Sequence, residues 1–190
     1  MQVSICTRSA THRGASLVEM MSALLILAII TAASFSLYWT GNQAHRRSRF
    51  YSEAQTVTRK TLRQMTRLIR SANSVVSQGT MGTLAGLASG PNQVVVQLPQ
   101  GTGAPIECRY YVSNGVLYQQ LSTDTAPGTA LLTGVTGLTF KYVRTLGGVR
   151  TAVDGAPAVA TEVQITIDAR RGSVTTGLTG YVALRTKLSG

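Results

Sequence analysis

The sequence predicts an α+β protein, in which a long N-terminal helix packs by its second half on a C-terminal antiparallel β-sheet. Three observations predict it. An uncharged, mostly apolar run lies near the start of the chain. A helical repeat of apolar residues continues beyond that run. The rest is rich in Thr, Gly and Val and alternates polar with apolar residues, which favours strands and turns.

The 190 residues allow one modest domain plus an attached element. Eighteen Lys and Arg stand against seven acids, a formal charge of +11. A charge of this size bears on solubility and partners rather than on fold. Anionic lipid, acidic protein and nucleic acid are the partner classes it admits. Only Cys6 and Cys108, and only His12 and His45, occur. No Cys/His cluster has metal-ligand spacing, so no metal or cofactor is expected.

From Met20 to Ala44 there are 25 positions without a charge. A membrane span needs about 20 apolar residues. Met20 to Trp39 contains no Pro or Gly, and Tyr38 and Trp39 end it with rings suited to the lipid–water boundary. A membrane-spanning helix is expected. Three readings compete for it. A cleaved secretory signal would be cut near Ala32–Ser36, but the run exceeds an h-region of about 7–15 residues and Glu19 interrupts it. A plain signal anchor explains the length and leaves Arg13-Gly14-Ala15 and Glu19 without a purpose. The third reading accounts for both.

The stretch "RGASLVEMMSALLILAIITAAS" resembles the cleavage-and-methylation segment of type IV prepilins and type II secretion pseudopilins. The resemblance implies a leader over residues 1–14, cut by a prepilin peptidase between Gly14 and Ala15. It also implies methylation of the new N-terminal Ala15. Glu19 then falls at the fifth mature position, where the family carries a Glu that serves filament assembly by meeting a neighbour's terminal amine. Ala15 departs from the Phe most common at that place. A lone carboxylate at the centre of a spanning helix costs about 2.5–3.5 kcal/mol. Near the helix start the dipole offsets part of that cost. Charge bias disagrees with the family. Arg8 and Arg13 precede the span, whereas Arg46, Arg47 and Arg49 follow it, with Arg59 and Lys60 further on. That would put the C-terminal side in the cytoplasm, while the resemblance implies export.

Residues 42–76 continue as a helix. Tyr51, Ala54, Thr58, Leu62, Met65, Ile69, Ala72 and Val76 recur at three- and four-residue steps and draw one apolar face. Gly41-Asn42 is a candidate kink. A helix from Ser16 to Val76 would run about 90 Å. On the opposite face Arg59, Arg63, Arg67 and Arg70 step by four, four and three beside Lys60, with no acid among them. Such a stripe is a solvated face, a face for acids of neighbouring subunits, or a track for DNA phosphates. Arg46, Arg47 and Arg49 also suit anionic headgroups.

"SQGTMGTLAGLASGPN" (77–92) is a Gly-rich linker. It lacks the Gly-Lys-Ser/Thr of a phosphate cradle. Strands follow at 93–98, 106–121, 137–143, 162–169 and 181–188, with 146–160 as a loop or loose ribbon. Asn114-Gly115 marks a two-residue type I′ hairpin. That register sets Val112 against Leu117, Cys108 against Leu121, and Tyr111 against Tyr118. Cys108 is then a small buried hydrophobe. The expected organisation is a leader over 1–14, a spanning helix over 15–40, its exported half over 41–77, a linker over 78–92 and a β-sheet domain over 93–190.

The order "LRQMTRLIRSA", "YYVSNGVLYQQL", "LLTGVTGLTFKYV" and "ALRTKL" is similar to J-type minor pseudopilins and PilW-type minor pilins, with Thr186 where Asn is frequent. This implies a minor subunit of a type IV pilus or a type II secretion pseudopilus, acting in assembly initiation or at the tip. It would pass from the inner membrane, as a single-pass protein, into a filament in the periplasm or at the cell surface. Its partners would be other subunits, the peptidase, the assembly platform and membrane lipid. Two alternatives stand beside it: a minor pilin that binds DNA for competence, and a plain membrane-anchored β domain. Catalysis is not expected, because His45 and scattered Ser residues supply no base–nucleophile pair and Asp124, Asp154 and Asp168 lack the spacing of one.

Overall fold

The computed structural model describes residues 16–100 and 103–184. One helix, α1 (Leu17–Ser71), precedes nine strands. Strands β1 (Ser74–Val75), β2 (Gln93–Leu98), β3 (Ile106–Ser113), β4 (Val116–Leu121) and β5 (Thr129–Thr133) form a sheet in that order. Strands β6 (Val135–Leu146), β7 (Val149–Ala152), β8 (Glu162–Arg171) and β9 (Val174–Ala183) form a second sheet, ordered β7-β6-β8-β9. All pairings are antiparallel. The chain is therefore α+β, with two sheets where a single one was expected. It divides into two compact units, one ending at Arg46 and one beginning at Arg47.

In the first unit every described residue but one is exposed, the exception being half-buried Asn42. The large apolar side chains from Leu17 to Trp39 are all at least 56% exposed. This stretch is long and apolar enough to cross a membrane. Two of its hydroxyls bond its own backbone: Ser22 Oγ donates to the Glu19 carbonyl at 2.9 Å, and Thr31 Oγ1 donates to that of Leu27. Lipid offers no other partner for such groups. Phe35 and Trp39 stack one turn apart, ring centroids 6.5 Å from each other.

In the second unit α1 is held by one stripe. Ala54, Thr58, Thr61, Met65 and Ile69 are buried, at steps of four, three, four and four. Thr58 is tolerated there because its Oγ1 donates to the Ala54 carbonyl at 2.7 Å. Two expected members of the stripe differ. Tyr51 is 48% exposed, and Leu62 is only half-buried beside the seam taken by Thr61. Leu62 instead fills the space above Gly180 of β9, where an added Cβ would lie 3.2 Å from its methyls. Met65 and Ile69, fully buried, join a core built from both sheets, including Tyr110, Leu117, Phe140 and Ile165.

The helix ends at Ser71, not at 77. Asn73 N–H donates to the Gln97 carbonyl at 2.8 Å and Val76 N–H to that of Val95 at 2.9 Å. Sheet pairing thus takes the backbone groups of the β-branched run at 75–76 that another helical turn would have used. The following segment is more than a linker. Leu84 is fully buried, and Gly79 N–H donates to the Leu87 carbonyl while Gly86 N–H donates back to that of Gly79. The Glu107 carboxylate of β3 accepts the Thr80 N–H, the Thr80 hydroxyl and the Met81 N–H at 2.9–3.1 Å. Ser89 Oγ accepts the Val95 N–H at 2.9 Å. Val94, Val95 and Val96 are all buried, as an unbroken apolar run with both faces covered requires.

The β3–β4 hairpin has the register read from Asn114-Gly115. Val112 pairs with Leu117, Cys108 with Leu121 and Tyr111 with Tyr118. Asn114 and Gly115 have φ of 51° and 71°, both in the left-handed region that a type I′ turn demands. The Tyr111 and Tyr118 rings stack at 5.6 Å. Two other expectations need revising. Residues 146–160 contain β7, hairpinned to β6 as a wholly exposed edge. The last strand begins at Val174, not 181, because the Gly172 turn (φ 61°) returns the chain directly along β8. Residues 185–188 of that expected strand lie outside the described residues. So do Gly14 and Ala15.

Candidate functional site

Glu19 lies in the first turn of α1, where its N–H donates to the Ser16 carbonyl at 2.9 Å. An acid there faces the positive end of the helix dipole. Its side chain is exposed, as are the apolar residues that follow. Residues 1–14 and Ala15 are not among the described residues, so of Gly14, Ala15 and Glu19 only Glu19 has a described position.

The second candidate is the basic face. Arg59, Lys60, Arg63, Arg67 and Arg70 are all exposed, on the side of α1 away from the buried stripe. The seam must be apolar to join the core, and this leaves the i, i+4, i+8 positions opposite it free for charge. Thr56, Arg59, Lys60, Arg63, Gln64 and Arg67 line an open concavity of about 590 Å³. Leu62, Arg63, Thr66, Arg67, Arg70, Gly180 and Tyr181 line a second, of about 380 Å³. Arg63 and Arg67 belong to both, so the two form one track along the helix and the edge of β9.

No acid of this chain neutralises that track. All seven acids fall among the described residues, and each is engaged or placed elsewhere. Glu53 faces Arg171 at 3.5 Å, and Glu162 pairs with Arg150 at 2.5 Å. Glu107 holds the Gly-rich loop. Asp124 Oδ2 accepts the Leu121 N–H at 3.1 Å, and Asp154 Oδ1 accepts the Tyr142 N–H at 2.9 Å. Asp168 fills the space above Gly137 and Gly177, on the sheet face opposite Gly180. Glu19 precedes Arg59 by forty residues, in the apolar stretch. The aspartates therefore serve as backbone caps and fillers.

Cys108 is fully buried. Burial pushes its thiol up to about 12, so at neutral pH it is a protonated apolar group. Burial also raises the Tyr110 and Tyr142 hydroxyls, and Tyr142 Oη donates toward the Gly90 and Gln93 carbonyls at 3.0 and 3.1 Å. Partial burial lowers Arg109, whose guanidinium lies 3.8 Å from the Tyr111 ring centre and bonds Gln93 Oε1. Among the described residues no three His, Cys, Asp or Glu cluster as metal ligands. Sequence reasoning did not single out Glu107. The available signal was an acid inside an otherwise apolar and aromatic strand. No protein-family model matches the chain, and no curated protein is significantly similar to it.

Proposed function

We infer that this chain is a membrane-anchored subunit of the type IV pilin-like kind, cut after Gly14, methylated at Ala15 and assembled with other subunits through its apolar helix. The carrying observation is the apolar surface from Leu17 to Trp39, exposed throughout and opened by Glu19 in the first turn. Soluble monomers rarely expose more than a few hundred Å² of contiguous apolar surface. Lipid covers it before assembly and neighbouring helices afterwards. In an assembly, Glu19 meets the amine of a neighbour's Ala15, an ion pair that offsets part of the cost of removing both groups from water and spares each from burial alone. The second unit supplies the displayed domain. It is a helix face locked by two sheets, suited to a minor subunit of a pilus or secretion pseudopilus. The chain would be made as a single-pass inner-membrane protein with its β domain exported. Its partners would be the peptidase, the assembly platform and other subunits.

The test is the N-terminal peptide of the membrane form, identified by mass spectrometry. A peptide beginning at methylated Ala15 is expected. Gly14→Val should leave the leader attached, because the bulky side chain replaces the residue the peptidase reads. An intact leader in the native membrane form, or a terminus near Ser36, rejects this role.

A further inference from the structure

We propose that the basic face of α1 is a nucleic-acid site that binds the phosphate backbone without reading sequence. Arg59 to Arg70 spans eleven residues, about 16 Å of helix. Successive cations at i, i+4 lie about 6 Å apart, a repeat that a phosphodiester chain can follow. The site is built along a secondary-structure element whose other side is fixed by Met65 and Ile69 in the core, so the cations share a rigid base.

Two observations choose this ligand over an acidic protein surface. The first is composition. Among the residues lining the larger concavity none is apolar, and the amide of Gln64 adds a donor between the cations, while the Thr56 hydroxyl donates to the Ser52 carbonyl at 2.8 Å. A protein–protein interface needs a desolvated apolar centre depleted in charge. Protein–nucleic acid interfaces are polar and strongly positive. The second is the placement of the acids: the six in the second unit are scattered, and each holds a partner or fills space within its own chain, so a second copy offers no cluster of carboxylates to set against five cations. Tyr181, 58% exposed beside the smaller concavity, offers a ring at the end of the track. Among the described residues lining the track only Tyr181 is aromatic, so affinity comes mainly from phosphate contacts.

The experiment uses the full chain in nonionic detergent and a fluorescent 20-base-pair duplex of random sequence, titrated by anisotropy from 50 to 300 mM salt. With up to five contacts at about 0.9 per contact, log Kd against log salt should have a slope of up to about 4.5. Arg63→Gln with Arg67→Gln should weaken binding at least tenfold at 50 mM salt and lower that slope by about 2. Lys141→Gln with Arg144→Gln removes the same charge from exposed positions on β6 and should change binding less than threefold. Equal losses in the two double variants would reduce the effect to net charge and overturn the site. Displacement of the duplex by poly-L-glutamate at equal charge concentration would assign the face to carboxylates and overturn it too. Neither result bears on where the N-terminus is cut.

Discussion

The two stretches of α1 on either side of Arg46 share one secondary structure and obey opposite rules. Before it, apolar residues occupy the whole circumference and none of them is buried. After it, they narrow to one side, where Ala54, Met65 and Ile69 are buried and Val57, Leu62 and Leu68 pack half-buried beside them, and the opposite side is polar and basic. The first pattern is stable only when something outside the chain covers all faces. The second is satisfied within the chain, by the two sheets. One helix thus carries an uncovered apolar surface in its first stretch and an intramolecular packing surface in its second.

The sharpest test of that contrast is a matched pair of truncations. Ile69→Ala removes a fully buried side chain and should cost the β domain about 2–5 kcal/mol. Ile29→Ala, at a position 60% exposed, should leave domain stability unchanged within about 0.5 kcal/mol. Urea unfolding of the detergent-solubilised chain, followed by tyrosine near-ultraviolet circular dichroism, separates the two. Trp39, the sole tryptophan, reports on the first stretch instead. Equal effects would mean the stretches are not energetically distinct.

A smaller effect probes how the second unit covers its sheet. Glu107→Gln replaces one acceptor oxygen by a donor and leaves a Thr80 or Met81 N–H without its partner. The cost should be about 1–3 kcal/mol. Faster amide exchange should be confined to 79–87, with the β3–β4 hairpin unaffected. Exchange spread across the whole sheet would show that Glu107 supports the core rather than the loop.

The smallest concerns pH. The Cys108 thiol ordinarily ionises near 9 and is pushed up to about 12 by burial. As pH rises, the unfolded chain therefore releases this proton first. The stability present below pH 9 is lost progressively between about 9 and 12, amounting to about 1 kcal/mol by pH 10. Cys108→Ala should be less stable at pH 8 yet lose less between pH 8 and 10. With Cys6 replaced by Ser, a thiol reagent should label the native chain only as fast as it unfolds. An equal fall in both proteins would trace the pH dependence to the buried tyrosines.

Much of the candidate site is legible in the spacing of residues. The steps among Arg59, Arg63, Arg67 and Arg70 place them on one helix face, and nothing distant can alter that once the helix forms. That the face is free of acids needed the tertiary structure, because Glu53, Asp154 and Glu162 find their partners through loops and strands far away in sequence. Glu107 shows the same limit. Its partners lie 26 and 27 residues earlier in the chain.

Local periodicity and turn chemistry determined the membrane-length helix, the basic stripe and the β3–β4 register, since each depends on contacts within a few residues. Asn114-Gly115 alone is enough to set Tyr111 against Tyr118. The tertiary structure decided where α1 stops, that Thr61 and not Leu62 takes the seam, that residues 77–92 fold onto β3, and that the strands part into two sheets. Each of these is a competition between a local preference and a long-range hydrogen bond or packing contact, and the long-range term prevails when it satisfies a buried backbone group that the local choice would leave unpaired.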